Sequence, residues 1–229
     1  ATLSETRPWR LLETVADCLS SLATGEPAGK SGTNEDSGDA VGGSDTPVIT
    51  VAYEPLAALN FLAGCTQKIR LGTHVLILPY RKPVLTAKMI STLDVLSEGR
   101  VILGAGVGWM EEEFKALGLD TFAQRGAVTD EYIQLFKELW TKDNPEFQGE
   151  HYQLSESGFQ PKPVQKPHPP IWIGGHTNPA IRRAAKYGDG WMPIGLRPPA
   201  ILEPEELAET VSYTHLRAHE TSLHLVCRL

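Results

Sequence analysis

The chain has 229 residues, 41% of them apolar and 21% charged, a length that holds one domain with a full-sized core and demands no second. Its 28 acidic against 21 basic residues leave a net charge of -7, which excludes nucleic acid or an anionic membrane as the main partner, since either rewards a basic patch. No apolar run approaches the roughly 20 residues of a membrane helix and no basic-then-apolar leader is seen, so a cytoplasmic protein is expected; Cys18, Cys65 and Cys227 are too scattered for a disulfide framework or a CxxC metal site.

Residues 1–46 carry a short apolar stretch, Leu11 to Leu22, and then Gly25 to Asp45, rich in Gly, Ser, Asp and Glu. Such a composition is expected to be disordered or to come from a shifted reading frame. From Pro47 the texture changes, and residues 47–211 alternate strand-like runs with amphipathic helices. A first helix is expected over about Glu54 to Thr66, with Leu56, Leu59 and Ala63 on one face. A first strand follows from Ile69 to Leu78, nearly continuous in apolar and β-branched residues, as in a strand covered on both faces. Pro79 ends it.

The second helix begins at Pro83 and is expected to bury a stripe of Leu85, Met89, Leu93 and Leu96 before a stop at Gly99. Arg100 to Leu103 reads as the second strand, running into Gly104-Ala-Gly-Val-Gly-Trp109 and a helix that opens near Met110. A long helix from Gly126 to Trp140 places Ile133, Phe136 and Trp140 on one stripe, with Tyr132, Leu135 and Leu139 beside it. Phe147 to Leu154 reads as a small hairpin turning at Gly149. Lys162, Lys166 and His168 fall in a proline-rich loop and are expected to face solvent. The third strand is Pro170 to Gly175, followed by a helix with Asn178 as cap, Pro179 at its first position and Gly188 at its stop. Gly190 to Pro193 is the fourth strand, and Asp189 before it is a turn residue. Repeated strand-then-helix units imply parallel pairing, in an α/β barrel or a doubly wound sheet.

The glycines after the second strand leave backbone bare where a flat ligand can lie close, or serve a tight turn with no ligand. Trp109 stands one residue after Gly108, so the spacing is not G-x-G-x-x-G, and no Gly-Lys-Ser/Thr follows; dinucleotide and P-loop readings both fail. Glu111, Glu112 and Glu113 suit a helix N-terminus but repel a phosphate placed there. Gly174-Gly175, ahead of a helix start without nearby acid, is the better anion site.

Several motifs in order carry a resemblance. They are Ile69-Arg-Leu-Gly-Thr73, Leu78-Pro-Tyr-Arg-Lys-Pro83, Leu93-Asp-Val-Leu-Ser-Glu-Gly-Arg100 and Leu103-Gly-Ala-Gly-Val-Gly-Trp109 with Glu112-Glu-Phe114. Phe159-Gln-Pro-Lys-Pro-Val164, Pro169-Pro-Ile-Trp-Ile-Gly-Gly175 and Gly188-Asp-Gly-Trp191 complete the set. With these, residues Tyr53 to Leu207 resemble the bacterial luciferase-like monooxygenase superfamily, and within it the F420-dependent oxidoreductase branch. The resemblance implies a (β/α)8 TIM barrel, of which this chain supplies about the third to sixth strands, with F420 or alternatively FMN at the carboxyl ends of the strands. It implies further that Thr73, His74 and Val75 form a bulge behind the cofactor ring with a cis bond at His74-Val75. Gly106, Val107, Gly108 and Trp109 would line the ring, and Gly174 and Gly175 would receive the phosphate-bearing tail. By itself His74 reads as a satisfied strand histidine more readily than as an acid or base, and Trp109 reads equally as a helix-start anchor.

The expected activity is two-electron transfer to, or monooxygenation of, a small organic substrate, with no metal. A noncatalytic flavin-binding barrel and a ligand-free α/β domain are the alternatives. The acidic residue and histidine that the family carries near the cofactor on an earlier strand are not recognisable in residues 1–46, so the catalytic residues are unassigned. A homodimer of the full-length parent is left open. Residues 212–229 depart from the family and resemble a translated sequencing adaptor, which makes a metal site of His215, His219 and His224 a poor reading. The chain reads as a fragment, expected to be inactive alone.

Overall fold

The computed structural model describes residues 53–193, 196–197, 200–201, 205, 207–208 and 210–211. The expectations for residues 1–46 and 212–229, with Cys18, Cys227 and the three tail histidines, lie outside the described residues. Among the described residues no helix is long and apolar enough to cross a membrane.

Helix α1, Pro55–Cys65, begins on a proline whose fixed φ suits the first turn. It buries Leu56 and Ala63, with Leu59 packed beside them. Its end is closed from a distance: the Arg100 guanidinium donates to the Ala63 and Thr66 carbonyls (3.0 and 2.9 Å), which a helix leaves without partners.

The continuous strand expected from Ile69 to Leu78 is broken in two. Strand β1 is Leu71–Gly72, β2 is Leu76–Ile77, and Leu78–Tyr80 turn into a short 3-10 helix. Leu71 pairs with Val101 and Gly72 with Ile102, whereas Leu76 pairs with Ala105. Three residues, 73–75, therefore oppose two, 103–104, and the extra one makes a bulge. The His74-Val75 peptide within it is cis, at the bond expected from the resemblance.

Helix α2, Pro83–Leu96, buries Pro83, Thr86, Ala87, Ile90, Ser91, Leu93 and Asp94. The expected stripe is thus rotated: Leu93 is inside, Met89 is half-buried, and Leu85 and Leu96 are 60% and 63% exposed. Polar satisfaction overrides the apolar pattern here. Buried Asp94 accepts from the Gln165 backbone N–H (3.0 Å) and amide (2.7 Å), and small Ala87 lets its carbonyl take the indole N–H of Trp140 (3.1 Å).

Strand β3, Val101–Gly106, runs three residues further than expected, so Gly104 and Gly106 lie inside the strand rather than in a turn after it. Helix α3 is Glu111–Ala116 and α4 is Arg125–Thr141, which buries Ile133, Leu135, Phe136, Leu139 and Trp140 as its pattern requires. Strands β4, Phe147–Gln148, and β5, Gln153–Leu154, form the expected hairpin. The Glu131 carboxylate of α4 pins it by accepting from the backbone N–H groups of Glu150, His151 and Tyr152.

Strand β6, Ile171–Gly174, leads to α5, Asn178–Tyr187, and then to β7, Gly190–Met192. The cap of α5 is Thr177, not Asn178, and Pro179 is at the second position. A final pair, β8, Leu196–Arg197, and β9, Ala200–Ile201, is antiparallel. Of the loop residues expected in solvent, only Lys166 is exposed. Lys162 donates to the Leu139 carbonyl (2.8 Å) and to that of Lys142 at the end of α4, and the His168 ring packs near Trp140. In both cases an apolar stem or ring covers the core while its nitrogen meets a backbone oxygen.

The parallel sheet runs β1 and β2, then β3, β6 and β7, each beside its successor in the chain. Among the described residues the order never reverses and shows no switch point of a doubly wound sheet, and the sheet is a sector of a barrel. One face, with Val101, Leu103, Ala105, Ile171 and Ile173, is buried in the core with the helices. By strand alternation the other carries Ile102, Gly104, Gly106, Trp172, Gly174, Gly190 and Met192.

Candidate functional site

The carboxyl ends of the parallel strands bring the sequence-derived candidates to one end of the sheet. Thr73, His74 and Val75 sit between β1 and β2, Gly106 to Trp109 leave β3, and Gly174 and Gly175 leave β6.

The bulge is seated on the glycines of its neighbours. A Cβ on Gly104 would lie 1.9 Å from the Thr73 carbonyl oxygen. One on Gly106 would lie 2.3 Å from Val75 Cγ2, and one on Gly174 2.5 Å from Val75 Cγ1. The two methyls of Val75 thus fill notches in two different strands. Bare backbone in β3 and β6 accommodates the bulge itself, which covers the glycines beneath it. His74 is exposed.

Past β3, Gly108 has φ 79° and lies against Phe114 and Ile77. Arg125 donates to its carbonyl (3.1 Å) and lies over the Phe122 ring. Tyr80, Phe114 and Phe122 form an edge-to-face series with centroids 4.8 and 5.2 Å apart. The Tyr80 hydroxyl donates to Glu113 at 2.5 Å. Partial burial, then that hydrogen bond and the Glu113 charge, push the phenol above its ordinary value. Glu111 pairs with Lys115 on the surface (3.0 Å). Two of the three helix-start carboxylates therefore have local partners. Trp109 is 77% exposed, so it does not anchor the helix start in the core; Phe114 does, fully buried.

Past β6, Gly175 has φ 105°, a conformation open to glycine. The sequence predicts unencumbered amides at Gly174-Gly175, open to an anion. The Gly175 N–H instead donates to the Met192 carbonyl (3.0 Å), and its carbonyl accepts from the Trp191 indole (2.6 Å). His176, which sequence reasoning passed over, has a buried Nδ1 with no hydrogen-bond partner. Asp189 is confirmed as a turn residue: its N–H donates to the Ile171 carbonyl and its carboxylate accepts from the Ile171 N–H (2.7 and 2.8 Å). Among the described residues no cluster of three or more His, Cys, Asp or Glu is placed to hold a metal.

The family model for luciferase-like monooxygenases matches residues 36–211. The chain belongs to that family. An FMNH(2)-dependent dimethylsulfone monooxygenase of Pseudomonas putida is 31% identical over 145 residues, which is 62% of this chain and 40% of that protein. An uncharacterised protein of Mycobacterium tuberculosis is 40% identical over 131 residues, 57% of this chain and 44% of its own length. Among solved structures, monooxygenase RslO1 from Streptomyces bottropensis superposes with TM-score 0.68 at 25% identity, over 76% of this chain and 51% of that one. An F420-dependent secondary alcohol dehydrogenase, at 23% identity, shares the fold with TM-score 0.65 over 75% of this chain and 51% of its own. The chain thus spans less than half the length of these two curated relatives.

Proposed function

We propose that this protein is a two-electron oxidoreductase of the luciferase-like family that draws on reduced F420, or on reduced FMN with dioxygen, to act on a small organic substrate. The observation that carries this reading is the bulge at Thr73 to Val75, locked on Gly104, Gly106 and Gly174. It offers a planar ring a stiff wall of backbone and valine methyl at the carboxyl end of the strands, where barrel enzymes bind their ligands.

The cofactor supplies the electron chemistry and the protein supplies orientation and exclusion of water. Val75 cannot shift without leaving its notches, so it fixes the plane on which a ring rests. The Gly106 to Trp109 segment, held by Arg125 at Gly108, would form the adjoining wall, and the exposed Trp109 indole would cover a bound ring. Glu111 to Glu113 disfavour a phosphate at α3, whereas the first turn of α5 carries no acid and favours one.

FMN is the second reading, supported by the FMNH(2)-dependent relative. Titrating the intact protein with F420 and with FMN, following fluorescence quenching, tests both. We expect one to bind tightly, and its reduced form to be oxidised in the presence of a small organic acceptor or of dioxygen with substrate. Binding of neither overturns the proposal; binding without turnover makes the protein a flavin carrier.

A further inference from the structure

The amino-terminal end of the sheet, opposite the candidate ring site, carries a cavity of about 420 Å³, the size of a small-molecule site. It lies where α1 and α2 end and the chain turns into β1 and β3, whose Leu71 and Val101 pair. Ala63, Gly64 and Gln67 line it from the end of α1, and Leu96, Glu98 and Arg100 from the end of α2.

The polar groups of the cavity select the sign of what it can hold. Arg100 donates to the carbonyls of Ala63, Thr66, Ile69 and Ser97 and to the Thr66 hydroxyl, which uses all five of its N–H groups. It has no donor left for an anion. Two helix C-termini meet here, and the negative ends of their dipoles favour a cation; Arg100 is one such cation, already built in. Glu98 and Gln67 also line the cavity, and neither side chain has a partner among the described residues.

Glu98 stands where its backbone is costly. Its N–H donates to the Val95 carbonyl (3.1 Å) and the Gly99 N–H to that of Asp94 (2.8 Å), the closing turn of a helix in which the left-handed residue is usually glycine. Glu98 takes that place with φ 56°, and a side chain kept in a strained conformation points to a use for that side chain. Beside it the Leu96 side chain is 63% exposed. Gly64 leaves open space, with nothing within 4 Å of where a Cβ would stand.

We propose that this cavity binds a primary alkylammonium ion, its nitrogen donating to the Glu98 carboxylate and the Gln67 amide oxygen while its carbon chain lies on Leu96 and in the space beside Gly64. The site is separate from the ring site and stands whether the protein takes F420 or FMN.

Calorimetric titration of the intact protein with n-butylammonium chloride tests this, against sodium chloride at equal ionic strength and against butan-1-ol. We expect saturable binding of the amine alone. Glu98→Gln keeps the shape and removes the charge, and should weaken binding about tenfold, the worth of one charge-assisted hydrogen bond. Glu98→Gly should weaken it at least as much while raising the denaturation midpoint of the unliganded protein, since glycine takes the left-handed conformation freely. Lost binding in that variant is then not lost folding. Added FMN should leave the affinity for the amine unchanged, because the two sites lie at opposite ends of the sheet. No saturable binding by wild type, equal binding of butan-1-ol, full affinity in either Glu98 variant, or displacement by FMN overturns the assignment.

Discussion

The hydroxyl of Thr73 donates to the Gly104 carbonyl at 2.8 Å and accepts from the Gly104 N–H at 3.0 Å, so one side chain replaces both ladder bonds that the bulge takes away. Leu103 bonds towards β6 through Pro170, and alternation turns the N–H and C=O of Gly104 the other way, towards the interrupted strand. Without Thr73 those two groups are buried and unmet. Thr73→Val, nearly the same shape, is expected to destabilise the protein by about 1–3 kcal/mol for each group left without a partner, and Thr73→Ser to cost far less. Chemical denaturation of the intact protein measures both. Equal midpoints for Val and wild type would show that the bulge does not depend on the hydroxyl.

Val75 predicts a coupling between substitutions on different strands. Gly106→Ala places a methyl where Val75 Cγ2 now lies, and Gly174→Ala one where Cγ1 lies. Valine has little rotamer freedom with which to yield, so each is expected to cost about 1–3 kcal/mol by overpacking. Shortening Val75 to Ala in the same molecule should return much of that loss. A double-mutant cycle reads the coupling directly, and strict additivity would sink the notch argument. Gly104→Ala should resist rescue, because its neighbour at 1.9 Å is the Thr73 backbone oxygen and not a side chain.

These two relationships mark where the sequence stops being legible. Helices α1 and α4, the hairpin and strands β6 and β7 follow from apolar period and turn residues, because there burial alone decides the structure. The Ile69 to Leu78 run looks continuous by the same rule, and its break is invisible in hydropathy since residues on both sides are equally apolar; only the likeness to a family placed it. In α2 the pattern misleads, because Leu85 and Leu96 outrank Thr86 and Ser91 on any apolar scale, yet Asp94 must face Gln165. Gly104 and Gly106 were legible as special but not as strand residues. His176 carries no periodic or spacing signal at all, and its unmet nitrogen exists only in three dimensions.

The Tyr80–Glu113 hydrogen bond gives a dependence on pH with a definite sign. In the folded protein the phenol keeps its proton to higher pH than its ordinary value of 10.0. The unfolded chain therefore releases a proton first, and stability falls as pH rises through and beyond that value. Below it the contribution is fully present. Following the denaturation midpoint from about pH 8 to about pH 11, the wild type should lose stability more steeply than Tyr80→Phe, which has no proton to release. Parallel curves would show that the hydrogen bond does not hold the proton in solution.

Trp109 separates a binding role from a folding role because it is large and mostly exposed. An indole 77% open to solvent contributes little core burial, and substitutions of exposed residues away from caps and networks usually change stability by less than about 0.5 kcal/mol. Trp109→Ala is therefore expected to leave the denaturation midpoint close to wild type. Its neighbours Gly108 and Met110 lie at the edge of the proposed ring site, so loss of the indole should weaken binding of F420 or FMN by about three- to tenfold, the range of an aromatic ring contact. The phosphate-free ring systems should lose the same factor, because the proposed contact of the indole is with the ring and not the tail. A Trp109→Ala protein that binds the cofactor as wild type does would remove the indole from the site and leave the bulge as its main wall.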